Sequence, residues 1–312
     1  MKNCILTTTP SFTNVLSRSE LGNFLKEQGI DAVLQESFTA PFSFDPVSVF
    51  GMVSGAAVQV GREELKAFPN LKIIMPFGVG VDHIDTEALI ERNIDLRVFP
   101  GINKNAVAEL AIAFLFALAR DIVSGTLAMR GGRWDRTIGS DIEGKVLGII
   151  GLGNIGKEVA KKARALGMSV QANDIVYDES FLSSYDIKKA YKETIFKTSD
   201  FISLHVPLTD RTHGFINKDI LSLAKKGAFL INTSRGEVMD EKALLASLES
   251  GVLGGAALDV FSQEPPFGKR TCEQLLAHPR LIATPHNASF TPGTHYTIAK
   301  KICEEMSRGL VK

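Results

Sequence analysis

The segment VLGIIGLGNIGKEVAKKARALGMSVQAND, residues 146–174, narrows the folds open to this chain more than any other stretch. Val146–Ile150 is a short apolar run of strand length, and Gly151, Gly153 and Gly156 follow it in the spacing G-x-G-x-x-G. Ile155, Val159, Ala163 and Leu166 recur at helical spacing, Gly167 stands where a helix C-terminus takes a left-handed residue, and a second strand leads to Asp174. Strand, glycine turn, helix, strand and acid in that order are the fingerprint of a dinucleotide-binding unit. The first glycine permits the turn, the second lets the backbone approach a pyrophosphate, and the third lets helix and strand pack closely. The N–H groups at the helix start, beyond Gly153 at Asn154 and Ile155, offer phosphate oxygens the positive end of the helix dipole. Asp174 can accept hydrogen bonds from both hydroxyls of an adenosine ribose and would repel a 2′-phosphate, so the expected cofactor is NAD rather than NADP.

The flanking sequence alternates strand-like and helix-like patterns in the same way. Residues 4–7, 31–34, 52–54, 71–75 and 94–98 read as strands, and 19–28, 63–68 and 86–92 as helices, the last capped by Asp85. That alternation implies a small doubly wound domain with a parallel sheet covered on both faces. Pro100 and Gly101 punctuate its end. A long helix is expected over 104–123, apolar all round and therefore buried between domains or against another subunit, followed by an irregular arm over 124–144. Beyond the fingerprint, strands are expected at 201–206, 228–231, 255–260 and 281–283, and helices at 218–224, 240–250 and 292–308.

Composition excludes several classes of function. Lys plus Arg and Asp plus Glu are 35 each, so no overall field favours nucleic acid or an anionic membrane. The most apolar segment, 110–119, is far short of the ~20 residues of a membrane span. The N-terminal apolar run is too short for a signal peptide. Cys4, Cys272 and Cys303 show neither a CxxC pair nor a disulfide framework, and no Cys/His cluster suggests a metal. A cytoplasmic location is the expectation.

Three strand ends in the second half carry polar residues that a core would not choose. One ends in Asn232-Thr233-Ser234-Arg235-Gly236, one in Asp259 with Glu264 following, and one in Thr284-Pro285-His286. Ligands of doubly wound sheets bind beyond the carboxyl ends of the strands, so Arg235, Glu264 and His286 are expected to converge near the reactive end of the cofactor. Together they suit the reduction of a 2-keto acid: a planar cation for the carboxylate and carbonyl, a proton donor titrating near neutrality, and an acid that stabilises its charged form. His205, beside Pro207, is read as lining the adenine pocket. His83, His213, His278 and His295 have no partner pattern.

At these residues the chain resembles the D-2-hydroxyacid dehydrogenase family. The resemblance runs over essentially the whole length, through Phe77-Gly78-Val79-Gly80-Val81-Asp82-His83-Ile84-Asp85, Asn105-Ala106-Val107-Ala108-Glu109, the glycine turn, residues 232–236, Leu258-Asp259-Val260-Phe261 to Glu264-Pro265, and Thr284-Pro285-His286. It implies two doubly wound α/β domains: an NAD-binding Rossmann domain over 101–284, with a dimerisation helix and arm, and a flavodoxin-like substrate domain over 1–100 completed by 285–312. It implies that Arg235, Glu264 and His286 are catalytic and that the N–H groups of Val79 and Gly80, with Arg235, hold the substrate carboxylate. Asp259 is implied to bind the nicotinamide carboxamide with Thr233 nearby, and Ser234, Val206, Pro207 and Ser289 complete the cofactor contacts. A homodimer is implied as well.

Within that family the sequence looks most like 3-phosphoglycerate dehydrogenases and their short relatives, which makes D-3-phosphoglycerate the leading substrate and glyoxylate or hydroxypyruvate the alternative. Three departures bear on this. Pro76 stands where an arginine is frequent in phosphoglycerate enzymes, leaving Arg130, Arg133 or Arg136 to supply charge for a phosphate. The chain ends at Lys312, so a C-terminal regulatory domain is not expected, and Asn287-Ala288-Ser289 replaces a commoner glycine-containing stretch. Rival readings are a nucleotide-sensing binding protein without turnover, and a dehydrogenase of phosphite or formate, for which Met75-Pro76-Phe77 offers no lysine.

Overall fold

The computed structural model describes residues 3–38 and 41–309, so the outermost residues of the expected first domain, 1–2 and 310–312, lie outside the described residues. The chain divides into two compact units, one taking the residues up to Asn103 and again from Ser289, the other Lys104–Ala288.

In the first unit β1 (Asn3–Thr7), α1 (Pro10–Ser17), α2 (Leu21–Glu27), β2 (Ile30–Leu34), β3 (Val49–Ser54), α3 (Arg62–Lys66), β4 (Ile73–Pro76), α4 (Thr86–Glu91) and β5 (Asp95–Leu96) follow one another. All neighbouring strands pair in parallel in the order β2-β1-β3-β4-β5, so the order reverses between β1 and β3. Val49, Met52, Val53, Ile74 and Met75 are buried, as a sheet covered on both faces requires.

The second unit runs through α5 (Lys104–Ala119), α6 (Ile122–Arg130), β6 (Val146–Ile150), α7 (Asn154–Ala165), β7 (Ser169–Asn173), α8 (Glu179–Tyr185), β8 (Ile187–Lys189), α9 (Lys192–Thr198) and β9 (Phe201–Leu204). It continues through α10 (Lys218–Ser222), β10 (Ala228–Asn232), α11 (Glu241–Glu249), β11 (Leu253–Leu258), α12 (Arg270–Ala277) and β12 (Leu281–Ala283). Its parallel sheet has the order β12-β11-β10-β9-β6-β7-β8, a Rossmann arrangement whose reversal falls between β6 and β9. The register sets Asn232, Leu258 and Ala283 side by side, so β10, β11 and β12 end level with one another.

The last helix, α13 (Pro292–Gly309), belongs to the first unit. Its buried face of Ile298, Ala299, Ile302, Cys303 and Met306 packs in one cluster with Ile5, Phe12, Leu21 and Leu25.

Several local expectations need correction. The helix expected over 104–123 stops at Ala119, because Asp121 takes a left-handed conformation (φ 48°), and α6 then fills the first part of the expected irregular arm. Within the second unit Ala111, Phe114, Leu115 and Leu118 of α5 join the core formed by β6, β7 and α7. Its all-round apolar character is therefore explained by its own sheet, with no need of another subunit. Helix α1 escaped the sequence reading although Thr9-Pro10 is a helix-start signal, and Thr9 accepts from the N–H of Ser11. α8, β8, α9 and α12 are too short to stand out by periodicity.

Ile302 is fully buried, so Ile302→Ala is expected to cost the first unit about 2–5 kcal/mol. Hydrogen exchange checks this: amides of β1 and β3 should lose protection while those of β6 and β9 keep theirs.

Candidate active site

The glycine turn closes β6 against the start of α7. Gly151 is left-handed (φ 96°), and a Cβ there would lie 2.7 Å from the carbonyl carbon of His205, so no other residue fits. Gly156 is equally confined, its absent Cβ falling 2.1 Å from the carbonyl oxygen of Gly151. Gly153 differs: its backbone is extended, and nothing of the protein lies within 4 Å of where a Cβ would be. The space it leaves is open for a ligand to approach the backbone.

Beside this turn is a cavity of about 340 Å³ lined by Leu152, Gly153, Asn154, Lys157, Asp174 and the Val176-Tyr177-Asp178 run. Asp174, the first residue past β7, takes hydrogen bonds from the N–H groups of Leu152 (2.5 Å), Ile175 (2.6 Å) and Val176 (3.2 Å). Those bonds fix the carboxylate at the cavity wall and leave it capacity for one more donor. Lys157 and Asp178, which the sequence reading missed, face the same cavity as an ion pair at 2.7 Å.

Three hydrogen-bonded assemblies shape the other end of the sheet. After β10, the buried Asn232 accepts from the N–H (2.9 Å) and Oγ (2.7 Å) of Ser234 and donates to the carbonyl of Arg235 (3.0 Å), which rigidifies the turn carrying the guanidinium. After β11, Asp259 accepts from Thr284 Oγ1 (2.5 Å) and the N–H groups of Asn287 (2.9 Å) and Ala288 (2.9 Å). Its own carbonyl takes the N–H of His286 at 2.8 Å. The turn it grips holds His286 at φ 50°, a conformation that costs a non-glycine residue on the order of 1–3 kcal/mol unless its surroundings impose it. The third assembly joins Glu264 to His286. Glu264 Oε1 accepts from the N–H of Phe261 (3.1 Å), and Oε2 meets His286 Nδ1 at 2.6 Å.

The electrostatics follow from these contacts. The hydrogen bond and charge of Glu264 push the His286 pKa up, against burial and the repulsion of Arg235. Burial pushes the Glu264 carboxyl up, but His286, the Phe261 N–H and Arg235 together outweigh it and leave it below its usual value. Arg235 thus acts on both partners. The acceptor-only carboxylate assigns the Nδ1 proton to a bond with Glu264, and the imidazole, about 40% exposed, keeps Nε2 for another partner.

The residues present fit a bound dinucleotide. The Thr233 hydroxyl is buried without a hydrogen-bond partner, which costs about 1–3 kcal/mol unless a ligand supplies one. In the first unit the N–H groups of Val79 and Gly80 donate to no acceptor among the described residues. The imidazole of His205 is held by its own strand: its Nε2 pairs with Ser203 Oγ at 2.8 Å and burial drives its pKa down to about 3, so it stays neutral.

The family model for the D-isomer specific 2-hydroxyacid dehydrogenase NAD binding domain matches residues 112–288. A hydroxypyruvate reductase of Thermotoga maritima is 38% identical over 83% of this chain and 84% of its own length. A D-3-phosphoglycerate dehydrogenase of Bacillus subtilis is 37% identical over 80% of this chain, a match that spans only 47% of that longer protein. The crystal structure of D-lactate dehydrogenase from Aquifex aeolicus, complexed with NAD and lactic acid, superposes with a TM-score of 0.87 at 26% identity, covering 99% of this chain and 95% of that one.

The chain belongs to the D-2-hydroxyacid dehydrogenase family. It is an NAD-dependent oxidoreductase that interconverts a D-2-hydroxy acid and its 2-keto acid. In this dehydrogenase Arg235, Glu264 and His286 lie in the second unit beyond three adjacent strands. Gly153, Asn154 and Asp174 line the cavity beside the glycine turn, while Val79, Gly80 and Ser289 fall in the first unit.

Asp174→Ala removes a charge-assisted acceptor worth about 1.5–3 kcal/mol. NADH binding, followed by nicotinamide fluorescence, should weaken roughly tenfold or more and the preference over NADPH should shrink; an unchanged ratio would place Asp174 outside ribose recognition.

Proposed function

We propose that this dehydrogenase reduces a 2-keto acid with a short uncharged tail, hydroxypyruvate or glyoxylate, with His286 as the proton donor. The observation that carries the chemistry is the 2.6 Å contact of Glu264 with His286 Nδ1, which leaves Nε2 to address the substrate oxygen. Arg235 takes the carboxylate and polarises the carbonyl through its planar fork. In the first unit, the N–H groups of Val79 and Gly80 are donors of the kind a substrate carboxylate takes. Bound NADH supplies the hydride, and bound NAD accepts it in the reverse direction. His286 gives its Nε2 proton to the developing alkoxide, and Glu264 stabilises the imidazolium before that transfer.

The choice of tail rests on charge. Neither the turn after β1 (residues 8–9), nor that after β3 (55–61), nor that after β4 (77–85) contains Lys or Arg. Phe77 meets His295 edge-on at 5.2 Å, His295 meets Phe290 at 4.9 Å, and burial pulls the His295 pKa down, so this ring adds no charge. Arg97, beyond β5, is tied to Asp95 and Glu305. Of the arginines considered for a phosphate, Arg133 pairs with Asp135 at 2.9 Å. A homodimer is supported by the exposed Ile122, Leu127 and Met129 on α6, with Trp134 and Ile138 beyond it. Light scattering tests that state. No helix among the described residues is long and apolar enough to cross a membrane, and the three cysteines are free thiols, which accords with a cytoplasmic enzyme.

Steady-state NADH oxidation against hydroxypyruvate, glyoxylate, pyruvate and phosphohydroxypyruvate decides the substrate class. We expect kcat/KM for hydroxypyruvate or glyoxylate to exceed that for phosphohydroxypyruvate by roughly tenfold or more, since a phosphate would meet no cation in these turns. The opposite order would contradict the proposal, and no turnover with any of them despite NADH binding would favour a sensor. The pH dependence has a definite sign. Reduction needs protonated His286, so kcat/KM falls as pH rises through its raised pKa. In Glu264→Gln that fall should come at lower pH.

A further inference from the structure

We propose that Glu241 is a positioning residue for the catalytic pair: its buried carboxylate grips Ser262 and thereby fixes the segment that carries Glu264. The proposal rests on the assignment of Glu264 and His286 just made.

Between β11 and α12, residues 259–269 form neither helix nor strand, so contacts outside the segment must set its path. Glu241, in the first turn of α11 and 5% exposed, supplies three of them and a fourth to the helix that follows. Its Oε1 accepts from the N–H of Ser262 at 2.7 Å. Its Oε2 accepts from Ser262 Oγ at 2.6 Å, from Cys272 Sγ at 3.3 Å and from Lys269 Nζ at 3.4 Å. Lys269 Nζ also donates to Ser262 Oγ at 2.5 Å, closing the ring of contacts. Burial, then the bond to Glu241, drives the Cys272 pKa up to about 11, so that group stays a thiol and a donor.

The helix does not need this carboxylate. Asp240, one residue earlier, already caps α11 through the N–H groups of Lys242 and Ala243. A glutamate serving only helix stability could point into water, whereas burying a carboxylate is unfavourable unless donors use its lone pairs. Here all the donors come from one loop and the start of the helix that follows it.

Ser262 is also where two parts of the site meet. It stands two residues before Glu264, and its neighbour Phe261 donates to Glu264 Oε1. Gly236, directly after Arg235, packs on the same spot: a Cβ there would fall 1.9 Å from the carbonyl carbon of Phe261 and 2.2 Å from the nitrogen of Ser262. Glu241 therefore holds the point at which the arginine-bearing and glutamate-bearing segments touch. The charged groups facing His286 are Glu264, Arg235 and Asp259; Glu241 faces the charge of Lys269 and the neutral, titratable Cys272 thiol. A loosened Ser262 would reach His286 only through Glu264.

Glu241→Gln keeps the shape but sets an amide N–H₂ against donors. In the full-length protein we expect kcat for hydroxypyruvate to fall about tenfold, the loss of reduction with rising pH to move to lower pH, and NADH affinity by fluorescence titration to stay unchanged. In a Glu264→Gln background the same substitution should move the pH profile no further, since both act through one contact. A folded Glu241→Gln enzyme with the parental kcat and pH profile overturns the proposal. If Glu264→Gln itself leaves the pH profile unmoved, the pair assignment fails and the proposal falls with it for that separate reason. If Glu241→Gln does not fold, Ser262→Ala cuts the hydroxyl half of the grip at a small residue. A shift to lower pH there supports the role of Glu241, and an unmoved profile overturns it.

Discussion

Glu264 and His286 meet at 2.6 Å across 22 positions of sequence, each standing in irregular chain just beyond a strand. Their attraction alone would not keep them there, because both side chains are partly open to water, where such a pair is worth about 1 kcal/mol or less. Their placement is inherited from the sheet. Parallel pairing brings β11 and β12 to their ends in register, and Asp259, the first residue past β11, spends its oxygens on Thr284, Asn287 and Ala288 around the histidine. The positive φ of His286 is the strain this grip sustains, and it is what points the ring at Glu264.

A parallel sheet concentrates function because every strand delivers its carboxyl end to the same side. In the second unit the glycine turn follows β6 and the three chemical residues follow β10, β11 and β12. The glycine turn and the Glu264–His286 contact are thus separated along the sheet but share its carboxyl side. Backbone geometry does much of the work at the first, where a missing Cβ matters more than any side chain. At the second, carboxylates do it: Asp259 accepts from the turn around His286, Glu241 from Ser262, and Glu264 meets the imidazole of His286.

Much of this was legible in sequence, for identifiable reasons. The fingerprint is local, so glycine spacing and the acid after the second strand could be read without knowing the fold. The gathering of Arg235, Glu264 and His286 followed from a topological rule about strand ends. What escaped depends on contacts between distant residues. Asp121 breaks a helix whose apolar run continues past it, and nothing nearby marks that break. Glu241 reads as one more acid at a helix start beside a capping Asp240, and only the returning loop shows where it points. Lys157 and Asp178 are unremarkable in sequence until the turn after β7 brings them together.

Everything chemical rests on His286 being held, by Glu264, as a stronger base than an ordinary histidine. Of the six histidines, His205 and His295 are shifted the other way by burial, so their resonances should separate from that of His286. An NMR titration of the ¹⁵N-labelled imidazoles, assigned with a His286→Gln control, measures the quantity itself. The account predicts that His286 titrates above the usual value of about 6.5, with the proton retained on Nδ1 in the neutral form. A His286 that titrates at or below that value would contradict it.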